Sequence, residues 1–286
     1  MVPCSAAASS RAMHTRPIPK SGEALPVVGV GTWQTFDVGT DAAALAPLER
    51  VLALLFENGG KVIDSSPMYG RAETVVGDLL AGQDSRHKAF IATKVWTQGR
   101  DDGIAQMDAS FKKLRVATLD LMQVHNLVDW QTHLKTLRAW KDQGRIRYIG
   151  ITHYTRDALS SLTRIIESEP IDFVQMAYSI TAREPESRLL PAAAQHGVAV
   201  LVNRPFEGAA LFQKVRGHAL PEWAAELGCA SWAQVFLKFI LSHPAVTCVI
   251  PGTAKPEHAL DNVAAGTGRL PDAALRTRMA DLVASL

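Results

Sequence analysis

What most constrains this chain is an alternation that runs through nearly all of it. Short runs, apolar on both faces, recur between longer segments of helical periodicity. VVGVGT (27–32), KVIDSS (61–66), AFIATKV (89–95) and LDLMQVH (119–125) read as buried strands. YIGIT (148–152), DFVQMAY (172–178), AVLVNR (199–204) and TCVIPG (247–252) continue the series. The helical segments include LAPLERVLALLFENGG, with its closing Gly pair, DDGIAQMDASFKKL, WQTHLKTLRAWKDQG, RDALSSLTRIIES, ESRLLPAAAQHG and ASWAQVFLKFILSHP. Strands with no polar face belong in an all-parallel sheet covered on both sides. Eight of them, closed on themselves, predict an α/β chain folded as a single (β/α)8 TIM barrel, a fold that suits 286 residues. A doubly wound sheet is the competing arrangement. No GxGxxG follows an early strand, which counts against a Rossmann domain.

Charge and cysteine content narrow the function classes. Thirty basic and 28 acidic residues are interspersed, for a net charge of +2, so neither nucleic acid nor a membrane surface is an expected partner. No apolar stretch approaches the roughly 20 residues that span a bilayer. Cys4, Cys229 and Cys248 are widely spaced and form no CxxC pair, so reduced thiols are expected rather than a disulfide framework or a metal site. The first 16 residues, MVPCSAAASSRAMHTR, contain Ser, Ala and basic residues but no acid. They read as a disordered tail, as a start upstream of Met13 or as an organelle leader, with residues 17–286 forming the barrel. The expected location is the cytoplasm, organelle targeting being the alternative, and the expected state is a monomer or weak homo-oligomer.

In a barrel of this kind the chemistry gathers where the strands end. Asp64 ends the second strand, Lys94 the third and His125 the fourth, while Tyr69 lies in the loop after Asp64. A lone residue of any of these types is usually structural. Four of them meeting on one rim point to a site. A phenol's ordinary pKa near 10 is too high for a proton donor at neutral pH, and a neighbouring ammonium lowers it. With a histidine to orient a carbonyl oxygen, such a set suits carbonyl reduction.

GVGTW, IDSSPMYGRAE, ATKVW, LDLMQVHN, GRIRYIGIT, DFVQMAYS and VIPGT occur in an order that resembles the aldo-keto reductase superfamily, from Pro26 to the C-terminal helix. The resemblance implies NAD(P)H-dependent reduction of an aldehyde or ketone. It makes Tyr69 the general acid, Lys94 and Asp64 the pair that lowers its pKa, and His125 the residue that orients the carbonyl.

For the cofactor the match is less complete. Gln175 matches the family glutamine that bonds the nicotinamide carboxamide, while Thr152 and His153 stand where Ser-Asn is usual. His153 has as its alternative a place capping the following helix or facing solvent. The family's aromatic after strand seven is replaced by Asn203-Arg204-Pro205-Phe206, leaving Arg204 or Phe206 to face the nicotinamide. Thr253, Lys255, His258 and Asn262 match the adenosine-phosphate positions, with Pro256 in the first turn of a helix. His258 occupies the usual arginine position, so Lys255 is the one fixed cation expected there. NADPH is the expected cofactor and NADH the alternative.

The substrate is a small-molecule carbonyl compound of unspecified identity. Few residues separate His125 from the next helix, so the rim is expected to be open there, with Trp33, Met68 and Trp96 as candidate walls. Two rival readings are a nucleotide-binding regulatory barrel with little turnover and a metal-dependent hydrolase using Asp64, His125 and His153. The second lacks an HxH pair on its first strand or a cluster of carboxylate ligands, so no metal is expected.

Overall fold

The computed structural model describes residues 12–286. Cys4 and residues 1–11 of the expected leader lie outside the described residues. Of the remaining residues of that segment, Thr15 and Arg16 lie in the first strand of the fold. An antiparallel hairpin, β1 (Thr15–Pro17) and β2 (Ala24–Pro26), opens the fold. The Arg16 guanidinium donates to the carbonyls of Leu241 and His243 at 2.5 and 2.6 Å, satisfying carbonyls that the end of a helix leaves open.

Eight strands follow: β3 (Val30–Gly31), β4 (Val62–Asp64), β5 (Phe90–Val95), β6 (Leu119–His125), β7 (Ile146–His153), β8 (Phe173–Ala177), β9 (Ala199–Asn203) and β10 (Cys248–Val249). They pair in parallel in sequence order. Bridges from Val28 to Val249 and from Gly31 to Gly252 join the last strand to the first, giving the (β/α)8 barrel. The closing strand is close-fitting: a Cβ on Gly29 would lie 2.6 Å from the Val62 carbonyl oxygen.

The helices are α1 (Ala42–Glu57), α2 (Ala72–Gly82), α3 (Arg100–Leu114), α4 (Trp130–Asp142), α5 (Leu159–Ser168), α6 (Leu189–Gln195), α7 (Ala210–Lys214), α8 (Trp223–Glu226), α9 (Trp232–Leu241), α10 (Pro256–Ala264) and α11 (Ala273–Ser285). Among the described residues, no helix is long and apolar enough to cross a membrane. Helix α2 was not expected from the sequence, where Gly77 interrupts a short segment. In the fold that glycine is a packing device: a Cβ there would lie 2.1 Å from the Lys113 carbonyl oxygen, so α2 and α3 touch through backbone.

Strand periodicity divides the core in two. Val62, Phe90, Ala92, Leu121, Tyr148, Phe173, Ala199, Leu201, Cys248 and Ile250 cluster inside the barrel. The alternate residues, such as Ile63, Ile91, Met122 and Val124, pack in the larger cluster with the helices. Ile18 and Leu25 of the hairpin join the inner cluster and close the barrel floor. Glu23 secures the hairpin by accepting from Tyr148 Oη at 2.6 Å. A floor of this kind leaves only the opposite rim open.

Candidate active site

The periodicity that fills the barrel also builds its rim. Counting by twos from the apolar inner residues leads from Val62 to Asp64, from Ala92 to Lys94 and from Leu121 to Gln123 and His125. It leads likewise from Tyr148 to Thr152, from Phe173 to Gln175 and from Leu201 to Asn203. Register aligns these positions across neighbours: Lys94 is level with Gln123, and His125 with Thr152 and Gln175.

At the centre Lys94 Nζ donates to Asp64 Oδ2 at 2.6 Å and to the Ser65 carbonyl at 2.7 Å. Lys94 is fully buried and Asp64 nearly so. The other carboxylate oxygen, Oδ1, accepts from Gln175 Nε2 at 2.8 Å and from Gln123 Nε2 at 3.1 Å. Both charges are therefore paired and hydrogen-bonded, as burial requires. Burial works against the ammonium, yet Asp64 and Tyr69 more than offset it and hold the Lys94 pKa above its ordinary value.

Tyr69 stands over this pair, its ring centre 5.0 Å from Lys94 Nζ. Here the expectation from sequence is corrected. Burial is the larger influence and holds the phenol above its ordinary pKa, while Lys94 pulls it down and Asp64 pushes it back up. Lys94 acts in the anticipated direction, but its charge is largely matched by the carboxylate. The phenol is thus firmly protonated.

His125 lies edge-on to Tyr69, with ring centres 5.9 Å apart, and its Nδ1 is 3.1 Å from Ser66 Oγ. Burial, then the charges of Lys94 and His153, push its pKa down to about 3. The imidazole is neutral at any physiological pH. Trp33, Met68 and Trp96 are 47, 39 and 41% exposed, large apolar side chains left open by the fold. The link from His125 to α4 is residues 126–129, with Asn126, Leu127 and Asp129 all at positive φ, so nothing long arches over the rim there.

Of the expected cofactor residues, Thr152, Gln175 and Asn203 meet. Gln175 Oε1 accepts from Thr152 Oγ1 and Asn203 Nδ2, both at 3.2 Å. Asn203 Oδ1 is buried and has no partner. His153 bonds locally, its Nδ1 accepting from the Thr155 backbone N–H at 3.2 Å, and caps no helix. Phe206 is partly buried and packs against the core, its ring centre 4.9 Å from that of Phe212. Arg204 stays exposed, at positive φ, with its guanidinium carbon 5.7 Å from the centre of the Tyr154 ring. Thr253, just before α10, and Asn262, in its second turn, are buried, whereas Lys255 and His258 are exposed. Thr253 Oγ1 accepts the Lys255 N–H at 3.0 Å.

Sequence reading missed three residues at this site. Gln123 shares Asp64 with Gln175, and its signal is the two-residue spacing from His125. Ser66 fixes the His125 ring, signalled by its place two residues beyond Asp64. Tyr154 stacks on His153 with centres 5.7 Å apart and planes at 17°, at a strand end where an exposed aromatic has no packing role. Among the described residues, no group of three or more His, Cys, Asp or Glu side chains is placed to hold a metal ion. Cys229 and Cys248 are free and buried.

Comparison with known proteins matches residues 27–277 to the model of the Aldo/keto reductase family. The chain is 30% identical over 260 residues to methylglyoxal reductase YeaE of Escherichia coli, covering 88% of this chain and 89% of that protein. It is 35% identical over 148 residues to an aldo-keto reductase of Mycolicibacterium smegmatis, covering 49% of this chain and 50% of that one. Among solved structures, an aldo/keto reductase from Klebsiella pneumoniae in complex with NADP and acetate superposes with a TM-score of 0.78 at 24% identity, covering 92% of this chain and 93% of that chain. The holo form of an aldo-keto reductase from Bacillus halodurans does so with a TM-score of 0.72 at 24% identity, covering 95% of this chain and 96% of the other.

Proposed function

The chain belongs to the aldo/keto reductase family, and on that premise we propose that it is an NADPH-dependent reductase of aldehydes or ketones with Tyr69 as general acid. The observation that carries the reading is the buried Lys94–Asp64 pair beneath a protonated phenol, beside a neutral His125.

The described residues fit a nicotinamide dinucleotide. Asn203 Oδ1 is a buried acceptor without a partner, suited to a carboxamide N–H. No side chain caps the start of α10, where Pro256 lacks an N–H, so the following backbone donors and Lys255 remain free to meet phosphate. Thr152, Gln175 and Asn203 would hold the nicotinamide end, and Thr253, Lys255, His258 and Asn262 the adenosine end. Tyr154 and Arg204 stand in for the aromatic missing after β9. When bound, the cofactor supplies the hydride.

The chain's own residues handle the oxygen. A Ser66 hydroxyl that donates to His125 Nδ1 leaves the ring proton on Nε2, where it can hydrogen-bond the carbonyl oxygen. Tyr69 gives its proton to that oxygen as negative charge develops there. Lys94, held in place by Asp64, stabilises the phenolate that remains. The raised phenol pKa means the proton leaves only when an alkoxide-like acceptor is present. Trp33, Met68 and Trp96 give the open rim an apolar wall for bulky carbonyl compounds.

Tyr69→Phe tests this reading. NADPH affinity, followed by quenching of tryptophan emission, is expected to change little. NADPH oxidation with an aromatic aldehyde is expected to fall by about 10²–10⁴-fold. A Phe variant that keeps most of its activity rules Tyr69 out as the acid. A wild type that binds NADPH but turns over no carbonyl favours the regulatory barrel, the reading that the departures at His153 and Asn203 support.

A further inference from the structure

Outside the hydrogen-bonded centre of the site, three polar side chains converge on one short loop. Residues 96–99 connect β5 to α3 and carry Trp96, whose ring centre lies 6.5 Å from that of His125. Loops on a surface usually leave their backbone groups to water. In this loop side chains from elsewhere take them. Gln106 of α3 holds Trp96 at both ends, its Oε1 accepting the backbone N–H at 2.5 Å and its Nε2 donating to the carbonyl at 3.1 Å. His133 of α4 donates from Nε2 to the Thr97 carbonyl at 2.7 Å. Asp129, at the start of α4, makes no cap to its own helix backbone and instead accepts the Gly99 N–H at 2.8 Å through Oδ2.

His133 shows that the arrangement is more than packing. It is fully buried, and its Nδ1 has no partner. A carbonyl only accepts, so the proton is on Nε2 and Nδ1 keeps a buried, unmatched lone pair. An apolar ring would fill the same space without that penalty. Helix α3 also gives way to the imidazole: a Cβ on Gly103 would lie 2.4 Å from His133 Cε1. What the histidine adds is its bond to Thr97.

We propose that His133, with Gln106 and Asp129, forms a positioning set that fixes the Trp96 loop and so sets the preference for flat, aromatic carbonyl substrates. The proposal rests on the reading of this rim as a carbonyl-reducing site. The Trp96 indole is exposed rather than held by the core, so its direction depends on the backbone beneath it. A pinned backbone presents the indole beside His125 in advance, and a flat substrate then stacks without ordering the loop. A small aliphatic aldehyde does not use the indole and is indifferent to the clamp.

The test compares benzaldehyde with propanal in His133→Ala, His133→Gln and Gln106→Leu. In His133→Ala and Gln106→Leu, KM for benzaldehyde is expected to rise about five-fold, with kcat and both constants for propanal within about two-fold of wild type. His133→Gln, which keeps a donor near the Nε2 position, is expected to recover most of the loss. Adding His133→Ala to Trp96→Ala is expected to cause no further loss for benzaldehyde. Equal losses for both aldehydes, or full additivity with Trp96→Ala, overturn the proposal. Gln106→Leu keeps the test decisive if His133 variants fold poorly, since Gln106 is only half-buried.

A second readout needs no turnover. Acrylamide quenching of Trp96 emission, taken as wild type minus Trp96→Phe because the chain has six tryptophans, is expected to rise in Gln106→Leu. Unchanged quenching refutes the clamp. Raised quenching in a protein that reduces neither aldehyde supports the clamp and overturns the carbonyl-site reading on its own.

Discussion

Gln175 Nε2 lies 2.8 Å from Asp64 Oδ1, which ties a residue expected at the nicotinamide to the carboxylate that pairs with Lys94. The cofactor end of the rim and its acid–base end share one hydrogen-bonded unit, with Gln123 as the third member. A change at Gln175 should therefore register at both ends.

Gln175→Leu is expected to weaken NADPH binding and also to lower stability by about 1.5–3 kcal/mol, the usual worth of a hydrogen bond to a charged group. Gln175→Glu is expected to cost more, because it brings a second carboxylate against Asp64. Urea denaturation alongside NADPH titration checks both. A Gln175→Leu protein with unchanged stability would mean that Gln123 alone suffices to hold Asp64.

The buried pair makes a separate stability prediction. Lys94→Met leaves Asp64 without its cation and is expected to cost about 3–5 kcal/mol. Adding Asp64→Asn removes the stranded charge and is expected to recover part of that loss, while leaving activity abolished. A double variant less stable than Lys94→Met would show that Asp64 serves a structural purpose apart from the pair.

Much of this site was legible in the sequence because a barrel converts position into place. Asp64, Lys94 and His125 each end an apolar run, and strand ends of one parallel sheet share one rim. Gln123 was passed over because a glutamine inside LMQVH has no meaning until the two-residue period assigns it to the lumen. The hairpin floor was not legible either: TRPIPKSGEALP is short and rich in turn formers, and only Ile18 and Leu25 reach the core. Helix α2 was passed over because the use of its Gly77, contact with the Lys113 backbone, depends on a neighbour distant in sequence. The net direction of the Tyr69 pKa needed geometry, since burial and a half-neutralised cation oppose each other.

His125 gives a pH prediction with a definite sign. Its pKa is about 3 in the folded chain, against an ordinary value of 6.5. Between these values the unfolded chain binds a proton that the folded chain does not. The stability from this group is fully present above the ordinary value and declines as pH falls toward the folded value, by up to about 1.4 kcal/mol per pH unit. In His125→Asn, the slope of unfolding free energy against pH between about 4.5 and 6 should be shallower than in wild type. Equal slopes would show that burial of this imidazole does not govern acid sensitivity.

Cofactor choice turns on Lys255. Among the described residues it has no carboxylate within ion-pairing range, and it is exposed at the start of α10. Lys255→Ala is expected to weaken NADPH binding by about ten-fold at low salt and to leave NADH almost unaffected, with the difference shrinking as salt is added. Equal losses for the two cofactors would place recognition of the extra phosphate elsewhere.

The nicotinamide face depends on a stack that this chain has rearranged. Tyr154 lies against His153 with planes at 17°, and the Arg204 guanidinium carbon sits 5.7 Å from the Tyr154 ring centre. A guanidinium over an aromatic face is an attractive pair, worth about 0.5–1 kcal/mol at an exposed position. If this pair stands in for the missing aromatic, Tyr154→Ala should weaken NADPH binding and lower kcat together, because a ring displaced by about 1 Å can cost 10²-fold in rate. Arg204→Ala should act in the same direction but less strongly, since the tyrosine and its contact with His153 remain. Asn203→Tyr, which loses the bond to Gln175 but restores a ring after β9, should then recover affinity in the Tyr154→Ala background. Stopped-flow NADPH binding and single-turnover reduction separate affinity from hydride transfer. Recovery of neither quantity would place the support of the nicotinamide with Gln175 and Thr152 rather than with any stacked ring.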